Sequence, residues 1–474
     1  MEQSDYHNPP TKAKLKLKAK LKWLTSWLKV FRAKVRLITV RDLAELATVV
    51  SRGNYSVVGA SHSYNGIQLV DGANAIHFGK SKLRDIKYLP DTGEVEVAPS
   101  VTVRQLKEFL VTKGRRLANS GSYMEQTVIG ALVTGTHGYG KDAIMAEAIT
   151  ELAFLDGSGR EVVLRKGDEE FAYIAVSFGV VAPIIRLRLS TRPLQQYKVS
   201  IRICPLSQKA HFSEAADGIA YALFPYSNPQ DPVIMLTVIQ ATNNDLPPTP
   251  APRSWPIVTP LGTYLIRYFW ALDGFRLLRG YRPWLHKMIE RRAVGINKEV
   301  VTDPKDLDYL YDPYPLTATS RPPIVLQQIF DPTYTGFEAA FFVPIAEAEK
   351  VLKFIVEIAH ELSEQDDFFL KSVIGVREIS SKSSLVFAGN YQGPVVAIDM
   401  FSDLPDFPWL GEIQRRVLRR FPNIRPHWGK SIISSAFKRS IGTEHIEKLR
   451  DIYRKYYPKG ELRLSYDVEL FLDL

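Results

Sequence analysis

Residues 57–65 read VVGASHSYN, and this stretch decides how the rest of the chain is interpreted. Two valines end an apolar run typical of a strand, and the run passes into small and hydroxyl-bearing residues around His62. Small side chains allow the backbone N–H groups of such a turn to approach a phosphate closely. The stretch therefore predicts a strand followed by a phosphate-binding turn, although a single histidine in a turn is more often a structural hydrogen-bonding group.

Two further stretches have the same glycine- and hydroxyl-rich character or carry a distinctive cation. Residues 119–122 read NSGS, Gly130 follows, and residues 134–138 read TGTHG after an apolar run. Residues 425–430, near the end of the chain, read RPHWGK. Each stretch is a weak signal alone, and only their order and spacing along one chain make them specific.

Three other kinds of site are disfavoured. Residues 135–142 read GTHGYGKD and approach the phosphate-loop pattern GxxxxGK[ST], but Asp142 stands where Mg²⁺ binding needs a hydroxyl. No GxGxxG motif occurs, so the dinucleotide fingerprint of a Rossmann fold is absent. The histidines lack metal-ligand spacing, and the single cysteine, Cys204, excludes an intrachain disulfide and an iron–sulfur site.

The excess positive charge lies in one segment. The 474 residues contain 61 Lys and Arg against 51 Asp and Glu, a net charge of +10. Residues 11–36 contain ten Lys and Arg and no acidic residue, so the rest of the chain sums to zero. This distribution argues against a body built around a nucleic-acid groove, and no nucleic-acid partner is expected.

Residues 11–36 are predicted to form an amphipathic helix. Apolar residues recur at helical spacing between Leu17 and Val35, and Trp23 and Trp27 flank that stripe. Such a helix lies in a membrane interface and is attracted to anionic lipid. A solvated basic tail, a targeting peptide and a partner-binding helix are the alternatives. No apolar run is long enough for a secretory signal or a spanning helix, so we expect a cytoplasmic protein that can associate peripherally with a membrane.

The first half of the body has an α+β texture. The alternating EVEV at 94–97 predicts a strand, and residues 103–117 predict a helix that ends near Gly114. Residues 156–159 predict a hairpin turn between two strands.

The second half is less regular. Prolines clustered at 247–256 mark a surface loop. The aromatic and Arg-rich stretch 261–290 is interpreted as a buried helix pair, with a second membrane-facing patch as the alternative. Residues 345–365 predict an amphipathic helix.

In this order, the three stretches resemble one family: the sugar-oxidising branch of the vanillyl-alcohol oxidase superfamily, and most closely its alditol and aldonolactone oxidases. The family motif GxGHSxN is similar to residues 59–65, its TGTHG to 134–138 and its HWxK to 427–430. Residues 177–189, SFGVVAPIIRLRL, resemble the strand that closes the flavin domain.

The resemblance implies an α+β, two-domain flavoprotein of the PCMH (p-cresol methylhydroxylase) type, with a mixed-sheet substrate or cap domain. The likeness is weak in the last third of the chain, and the middle does not align. The implied divisions are a basic N-terminal segment (1–36), the FAD-binding domain (37–193), the cap domain (194–425) and a C-terminal segment (426–474) that returns to the flavin site.

The resemblance also implies the cofactor and the chemistry. FAD would be bound covalently through His62 and would accept a hydride from a CH–OH group of a sugar, sugar lactone or polyol. Gly121 leaves a path for dioxygen, which favours an oxidase. Lys430 and Arg377 would stabilise developing negative charge, and Ser122 would lie beside the flavin and substrate. FAD contacts are implied for Gly59, Ala60, Ser61, His62, Ser63, Tyr64, Asn65, Gly121, Ser122, Thr127, Gly130, Ala131, Leu132, Val133, Thr134, Gly135, His137, Gly138, Val181 and His427.

The sequence departs from the family pattern in three places. Ser61 stands where the motif has a glycine. Alditol oxidases carry Glu-x-Arg on a substrate strand, but this chain has Gly375 two residues before Arg377, and Glu378 is displaced to the opposite face of the strand. Where the family offers a histidine on another strand, Asp399 is the nearest polar residue. The flavin half of the pattern therefore fits and the substrate half does not.

Two other functions stay open. One is a membrane-associated oxidase of a lipid-linked sugar, favoured by the basic segment and the aromatic stretch. The other is a flavin-free membrane- or nucleic-acid-binding module that has lost catalysis.

Overall fold

A computed structural model describes most of the chain. The described residues are 19–26, 29–79, 81–121, 123–138, 144–213, 216–243, 246–249, 282–302, 336–365, 368, 370, 373–379, 383–391, 393–403, 407–430 and 442–474.

The described residues form nineteen strands and ten α-helices. The strands are β1 (Ala19–Thr25), β2 (Arg32–Thr39), β3 (Tyr55–Val58), β4 (Asn74–His77), β5 (Ile86–Leu89), β6 (Glu94–Val97), β7 (Arg115–Arg116), β8 (Ile149–Leu155), β9 (Glu161–Arg165), β10 (Ile184–Ser190), β11 (Arg192–Pro193), β12 (Tyr197–Pro205), β13 (Gly218–Leu223), β14 (Val233–Ala241), β15 (Asn297–Val301), β16 (Gly336–Pro344), β17 (Ile374–Ile379), β18 (Val395–Asp403) and β19 (Arg425–Pro426). The helices are α1 (Leu43–Ser51), α2 (Val103–Thr112), α3 (Val128–Val133), α4 (Phe171–Ile174), α5 (Lys209–Ser213), α6 (Arg282–Ala293), α7 (Ile345–Gln365), α8 (Phe407–Arg420), α9 (Thr443–Tyr456) and α10 (Tyr466–Leu472).

The predicted N-terminal helix is wrong. Residues 19–39 form an antiparallel hairpin of β1 and β2, and β2 then pairs in parallel with β4. Alternation explains the strand: Ala33 and Val35 are buried, whereas Lys34 and Arg36 are exposed. Lys20 and Lys22 in β1 alternate with the same period of two, and pairing with the sheet favours the strand over the helical stripe.

The first domain has two main sheets. The four-stranded sheet has the order β1-β2-β4-β3, with β2 and β3 both parallel to β4, and β3 ends at Val58 as predicted. The five-stranded sheet has the order β5-β6-β10-β8-β9 and is antiparallel. The predicted strand at 94–97 and the hairpin turn at 156–159 are confirmed.

Helix α2 is also confirmed, and its ends have clear causes. Thr102 and Gln105 form a capping box at the start. Gly114 follows the last turn with φ = +65°, a conformation that favours glycine.

The described strands between residues 197 and 426 form an eight-stranded sheet of order β15-β12-β14-β13-β17-β18-β16-β19, and we call this sheet with its helices the cap. All its described pairings are antiparallel, so mixed pairing occurs in the four-stranded sheet rather than, as predicted, in the cap. The predicted helix α7 packs with α8 on one face of this sheet through residues such as Val351, Ile355 and Ile413. The central strands turn their other face to the first domain, where Phe342, Ile379 and Ala397 join its core.

The chain returns to the first domain after the cap. Residues of α9 and α10, including Leu449 and Phe471, are part of the first domain's core, and Leu462 bridges Tyr55 of β3. The predicted helix pair at 261–290 lies outside the described residues up to 281. From 282 onward, α6 buries Ile289 and Ala293 and leaves Trp284 exposed. Among the described residues, no helix is long and apolar enough to cross a membrane.

Candidate active site between the two domains

A deep cleft follows the end of β3. It encloses about 1090 Å³ of empty space, part of it open to solvent. Its walls come from the loop after β3, from α3, from the start of β10 and from residues 462–468. The sequence-predicted FAD residues that line it are Gly59, Ala60, Ser61, His62, Ser63, Thr127, Gly130, Val133, Thr134 and Val181.

Two glycines allow the wall of this cleft to close around Thr127. The Thr127 hydroxyl accepts a hydrogen bond from the Gly130 N–H at the start of α3. A Cβ atom at Gly130 would lie 2.7 Å from Thr127 Oγ1, and one at Gly59 would lie 2.9 Å from it. Both positions therefore require glycine, because any side chain there would collide with Thr127.

Ser61 adopts a strained backbone conformation. Its φ of +57° lies in the left-handed region that glycine adopts freely and serine does not. Serine at this position, where the similar family motif has glycine, therefore adopts a glycine-like backbone conformation at a cost in strain.

His62 is held neutral. It lines the cleft, and its ring centroid lies 6.2 Å from that of Tyr123. Burial lowers the pKa of His62 to about 4, although Glu125 works against the shift. A neutral imidazole has a nucleophilic nitrogen, as bond formation to a flavin requires.

The polar lining fits a dinucleotide. Among the described residues, the buried Ser56 and Ser465 hydroxyls and the Gln68 side-chain amide have no hydrogen-bond partner in the protein. All three residues line the cleft. Buried polar groups are normally satisfied, so these are groups that a ligand rich in oxygen and nitrogen, such as FAD, would satisfy.

A second cluster lies on the cap side of the loop after β3. Lys430 Nζ donates to Glu338 Oε1 at 2.6 Å and to Asp399 Oδ1 at 3.0 Å. Arg377 Nη1 lies 3.8 Å from Asp399 Oδ2. Tyr64 hydrogen-bonds the Glu338 carboxylate through its hydroxyl, which links the cluster to the loop that carries His62.

Sheet geometry explains why these residues meet. On β16, β17 and β18 the alternate residues Phe341, Val376 and Ile398 face the helices of the cap. The intervening positions face the first domain, and Glu338, Arg377 and Asp399 occupy three of them. Glu378 lies on the opposite face, as predicted, and is ion-paired there with Lys209.

The cluster is nearly buried, and this shifts its protonation equilibria. The four charged side chains are between 10% and 19% exposed. Burial raises the pKa of Glu338, with Lys430 acting against it. Burial would also raise the pKa of Asp399, but Lys430 and Arg377 outweigh it and hold this pKa well below its usual value. Asp399 Oδ2 accepts no hydrogen bond from a described residue, so it is available to a ligand.

The C-terminal motif is tied to the loop after β3 by its backbone. The Tyr64 N–H donates to the Gly429 carbonyl at 3.2 Å, and the Asn65 side chain donates to the Trp428 carbonyl. His427 Nδ1 accepts from the Gly429 N–H at 3.1 Å and so shapes the turn that presents the neighbouring lysine. The motif at residues 59–65 and the motif at 427–430 are therefore held together by hydrogen bonds.

Two neutral histidines lie beneath the cluster. The ring centroids of His137 and His427 are 5.5 Å apart, and His427 stacks on Phe342. Burial, with Arg377 in support, lowers the pKa of His137 to about 3. Burial and the neighbouring His137 lower the pKa of His427 well below its ordinary value.

The remaining predicted residues lie nearby or outside the described chain. A Cβ at Gly121 would lie 2.5 Å from Thr136 Cγ2, so packing also requires glycine there. Gly138 donates to Asn119 Oδ1 at 2.7 Å. Ala131, Leu132 and Gly135 belong to α3 and the turn after it. Ser122 is outside the described residues.

Sequence reasoning missed Glu338 as a site residue and undervalued Asp399. Glu338 is the single charged residue in the otherwise apolar strand β16, and a buried charge in such a strand needs a partner or a function. That signal was present in the sequence, but the partner, Lys430, lies 92 residues away.

Comparisons with known proteins agree with this geometry. Residues 33–165 match the model of a family described as an FAD-binding domain. The L-gulono-1,4-lactone dehydrogenase of Mycobacterium tuberculosis is 28% identical over 39% of this chain and 45% of its own length. The D-arabinono-1,4-lactone oxidase of Yarrowia lipolytica is 25% identical over 54% of this chain and 50% of its own length. The chain thus spans about half the length of these curated relatives.

The chain contains an FAD-binding domain. The cofactor of its FAD-binding domain is FAD, and the predicted PCMH-type α+β fold is confirmed. A solved cholesterol oxidase from Brevibacterium sterolicum has the same fold, with a TM-score of 0.69 over 98% of this chain and 99% of its own, at 13% identity.

Proposed function

We propose that this protein is an FAD-linked enzyme that oxidises a CH–OH group of a sugar lactone, sugar or polyol. One observation carries the proposal: the buried cluster of Lys430, Arg377, Glu338 and Asp399 adjoins the loop that bears His62. Two cations and two carboxylates are suited to a substrate rich in hydroxyls, and the relatives named as lactone oxidases and dehydrogenases agree with that class.

The carboxylates receive the substrate's hydroxyl groups. Asp399 Oδ2, which accepts no hydrogen bond from a described residue, is suited to orient one hydroxyl. Glu338 accepts the hydroxyl proton as the C–H bond breaks, and its pKa, raised by burial, makes it a stronger base than a solvated carboxylate. Tyr64 and Lys430 hold Glu338 in place by hydrogen bonds.

The cations act on the charge that develops. FAD, when bound, supplies the acceptor for the hydride that leaves the substrate carbon. Lys430 and Arg377 stabilise negative charge on the substrate oxygen before the carbonyl forms, and in a site that excludes water such groups contribute several kcal/mol.

The direct test is turnover with a panel of aldonolactones, alditols and free sugars, with an artificial electron acceptor. We expect one class to be oxidised. Absence of turnover with all three, in protein that contains FAD, would refute the proposed substrate class.

The role of Glu338 has its own test. We expect Glu338→Gln to lower kcat/KM by about 10²–10⁴-fold and to abolish the rise of kcat/KM with pH that a basic carboxylate produces. Glu378→Gln is the matched control, because Glu378 lies on the opposite face of the same sheet. If Glu338→Gln keeps the wild-type pH profile, Glu338 is not the base.

Three finer features belong to the same proposal. The flavin is attached to His62, whose neutral imidazole supports this. The electron acceptor would be dioxygen, which two electrons and two protons convert to hydrogen peroxide. The protein is cytoplasmic, and the proposed reaction needs no membrane.

A further inference from the structure

The β1–β2 hairpin turns an unusual face to solvent. Antiparallel register places Leu21 opposite Arg36 and Trp23 opposite Lys34, with Arg32 at the turn end. Directly opposite residues project to the same side of the sheet. We call these five residues, Leu21, Trp23, Arg32, Lys34 and Arg36, the hairpin face.

The apolar part of the hairpin face is largely exposed to solvent. Leu21 is 67% exposed and Trp23 is 55% exposed. The Arg32 guanidinium lies 5.3 Å from the centroid of the Trp23 ring, so the aromatic and a cation form one surface. Among the described strands, β1 lies at the edge of its sheet and pairs with β2 alone.

The charged part is one-sided. Arg32, Lys34 and Arg36 are exposed, and no ion pair joins them to another described residue. Lys20 and Lys22 on β1 add further exposed positive charge. A carboxylate does approach this strand at Asp71, but it accepts a hydrogen bond from the Lys34 backbone N–H and not from the lysine side chain.

Exposed apolar residues beside cations favour a lipid surface over other anionic partners. Cations alone suit any polyanion, but an exposed leucine and tryptophan gain nothing from a phosphate backbone. Tryptophan favours the boundary between lipid headgroups and hydrocarbon, and cations beside it pair with anionic headgroups. Nearly all of the chain's net charge lies in this segment and its N-terminal extension, so the rest of the protein does not repel or attract a charged surface.

We propose that the hairpin face docks this protein on the surface of an anionic lipid bilayer. The contact is made by a rigid strand pair that is continuous with the FAD-binding domain through β2 and β4, not by a free helix. The proposal goes beyond the proposed reaction, since docking requires neither substrate nor turnover.

The test is sedimentation of the full-length protein with phosphatidylcholine vesicles that contain or lack phosphatidylserine. We expect binding to the vesicles with phosphatidylserine, and loss of that binding at high salt. Each neutralised cation should weaken it about fivefold, so Arg32→Gln/Lys34→Gln/Arg36→Gln should weaken it about a hundredfold.

Two further variants separate the contributions. Leu21→Ser/Trp23→Ser should also weaken binding, with all charges retained. The matched control, Lys87→Gln/Lys350→Gln/Lys459→Gln, removes three exposed lysines elsewhere and should bind as the wild type does.

Several results would overturn the proposal. One is wild-type binding by the hairpin triple variant, which would assign the interaction to residues 1–18. The proposal is also wrong if the control variant loses as much vesicle binding as the hairpin triple variant does. It is equally wrong if the wild type binds duplex DNA more tightly than vesicles, or does not bind vesicles. Circular dichroism of each variant establishes that it is folded, since all the substituted side chains are exposed.

Discussion

Lys430→Met removes the cation that two buried carboxylates share. In the wild type, Nζ lies 2.6 Å from Glu338 and 3.0 Å from Asp399, and the three side chains are at most 19% exposed. Methionine fills similar volume without charge. Asp399 keeps Arg377 at 3.8 Å, but Glu338 loses its cation and must take up a proton or remain an uncompensated buried charge.

The expected effects on stability and catalysis are large. Breaking a buried ion pair from one side costs about 3–5 kcal/mol of unfolding free energy. Lys430→Met/Glu338→Gln should recover part of this loss, because it removes the unpaired carboxylate as well. If Lys430 also stabilises charge in the transition state, kcat should fall by about 10²–10³-fold in the single variant.

The assay combines urea unfolding with steady-state turnover of the best substrate from the panel. Lys209→Met is the matched control, because Lys209 pairs with Glu378 on the opposite face of the sheet and its side chain is similarly shielded, at 23% exposed. It should lose some stability and keep wild-type kcat. A folded Lys430→Met variant with wild-type kcat would refute the assigned role of Lys430.

Three further predictions concern the loop after β3 and the histidines. His62→Ala should bind FAD reversibly, so that flavin fluorescence no longer migrates with the denatured chain on a gel; retained fluorescence would exclude attachment at His62. Ser61→Gly should stabilise the protein by about 0.5–1 kcal/mol in urea unfolding, because relief of left-handed strain exceeds the added entropy of the unfolded chain, and a loss of stability would contradict the strain. Since the pKa of His62 is lowered to about 4 and that of His137 to about 3, the unfolded chain binds more protons than the folded protein below pH 6.5. Unfolding free energy should therefore fall with falling pH by about 1.4 kcal/mol per pH unit for each histidine, and pH-independent stability between pH 6.5 and 4 would rule this out.

The cleft was predictable from the sequence because its determinants are local. Gly59 and Gly130 are required by their close approaches to Thr127, which lies next to α3 in the same motif region. The turn at Ser61 keeps the motif's backbone geometry even without its glycine. A motif of small residues indicates a tight backbone turn, and such a turn allows a dinucleotide to lie close to the backbone.

The N-terminal segment was mispredicted because it carries two periods at once. Its leucines recur at helical spacing, whereas its lysines alternate as in a strand. The local sequence pattern cannot distinguish a helix from a strand here. The strand forms because β2 pairs with β4, residues 74–77, which lies far along the chain.

The substrate side was hard to predict for a different reason. Glu338, Arg377 and Asp399 come from three strands distant in sequence, and they meet because of cross-strand register, with Gly375 directly opposite Asp399. Alditol oxidases have a glutamate where this chain has Gly375, and here Asp399 on the neighbouring strand places a carboxylate beside that position. No spacing along the chain records such a pairing.

The central claim is that the chain is an FAD enzyme that acts on hydroxyl groups of small polar substrates. The most direct test is the visible absorption spectrum of the purified protein under anaerobic conditions, before and after addition of an aldonolactone, an alditol or a sugar. We expect a yellow protein whose flavin band bleaches with one of these classes and returns in air. A colourless protein that cannot be reconstituted with FAD would contradict it.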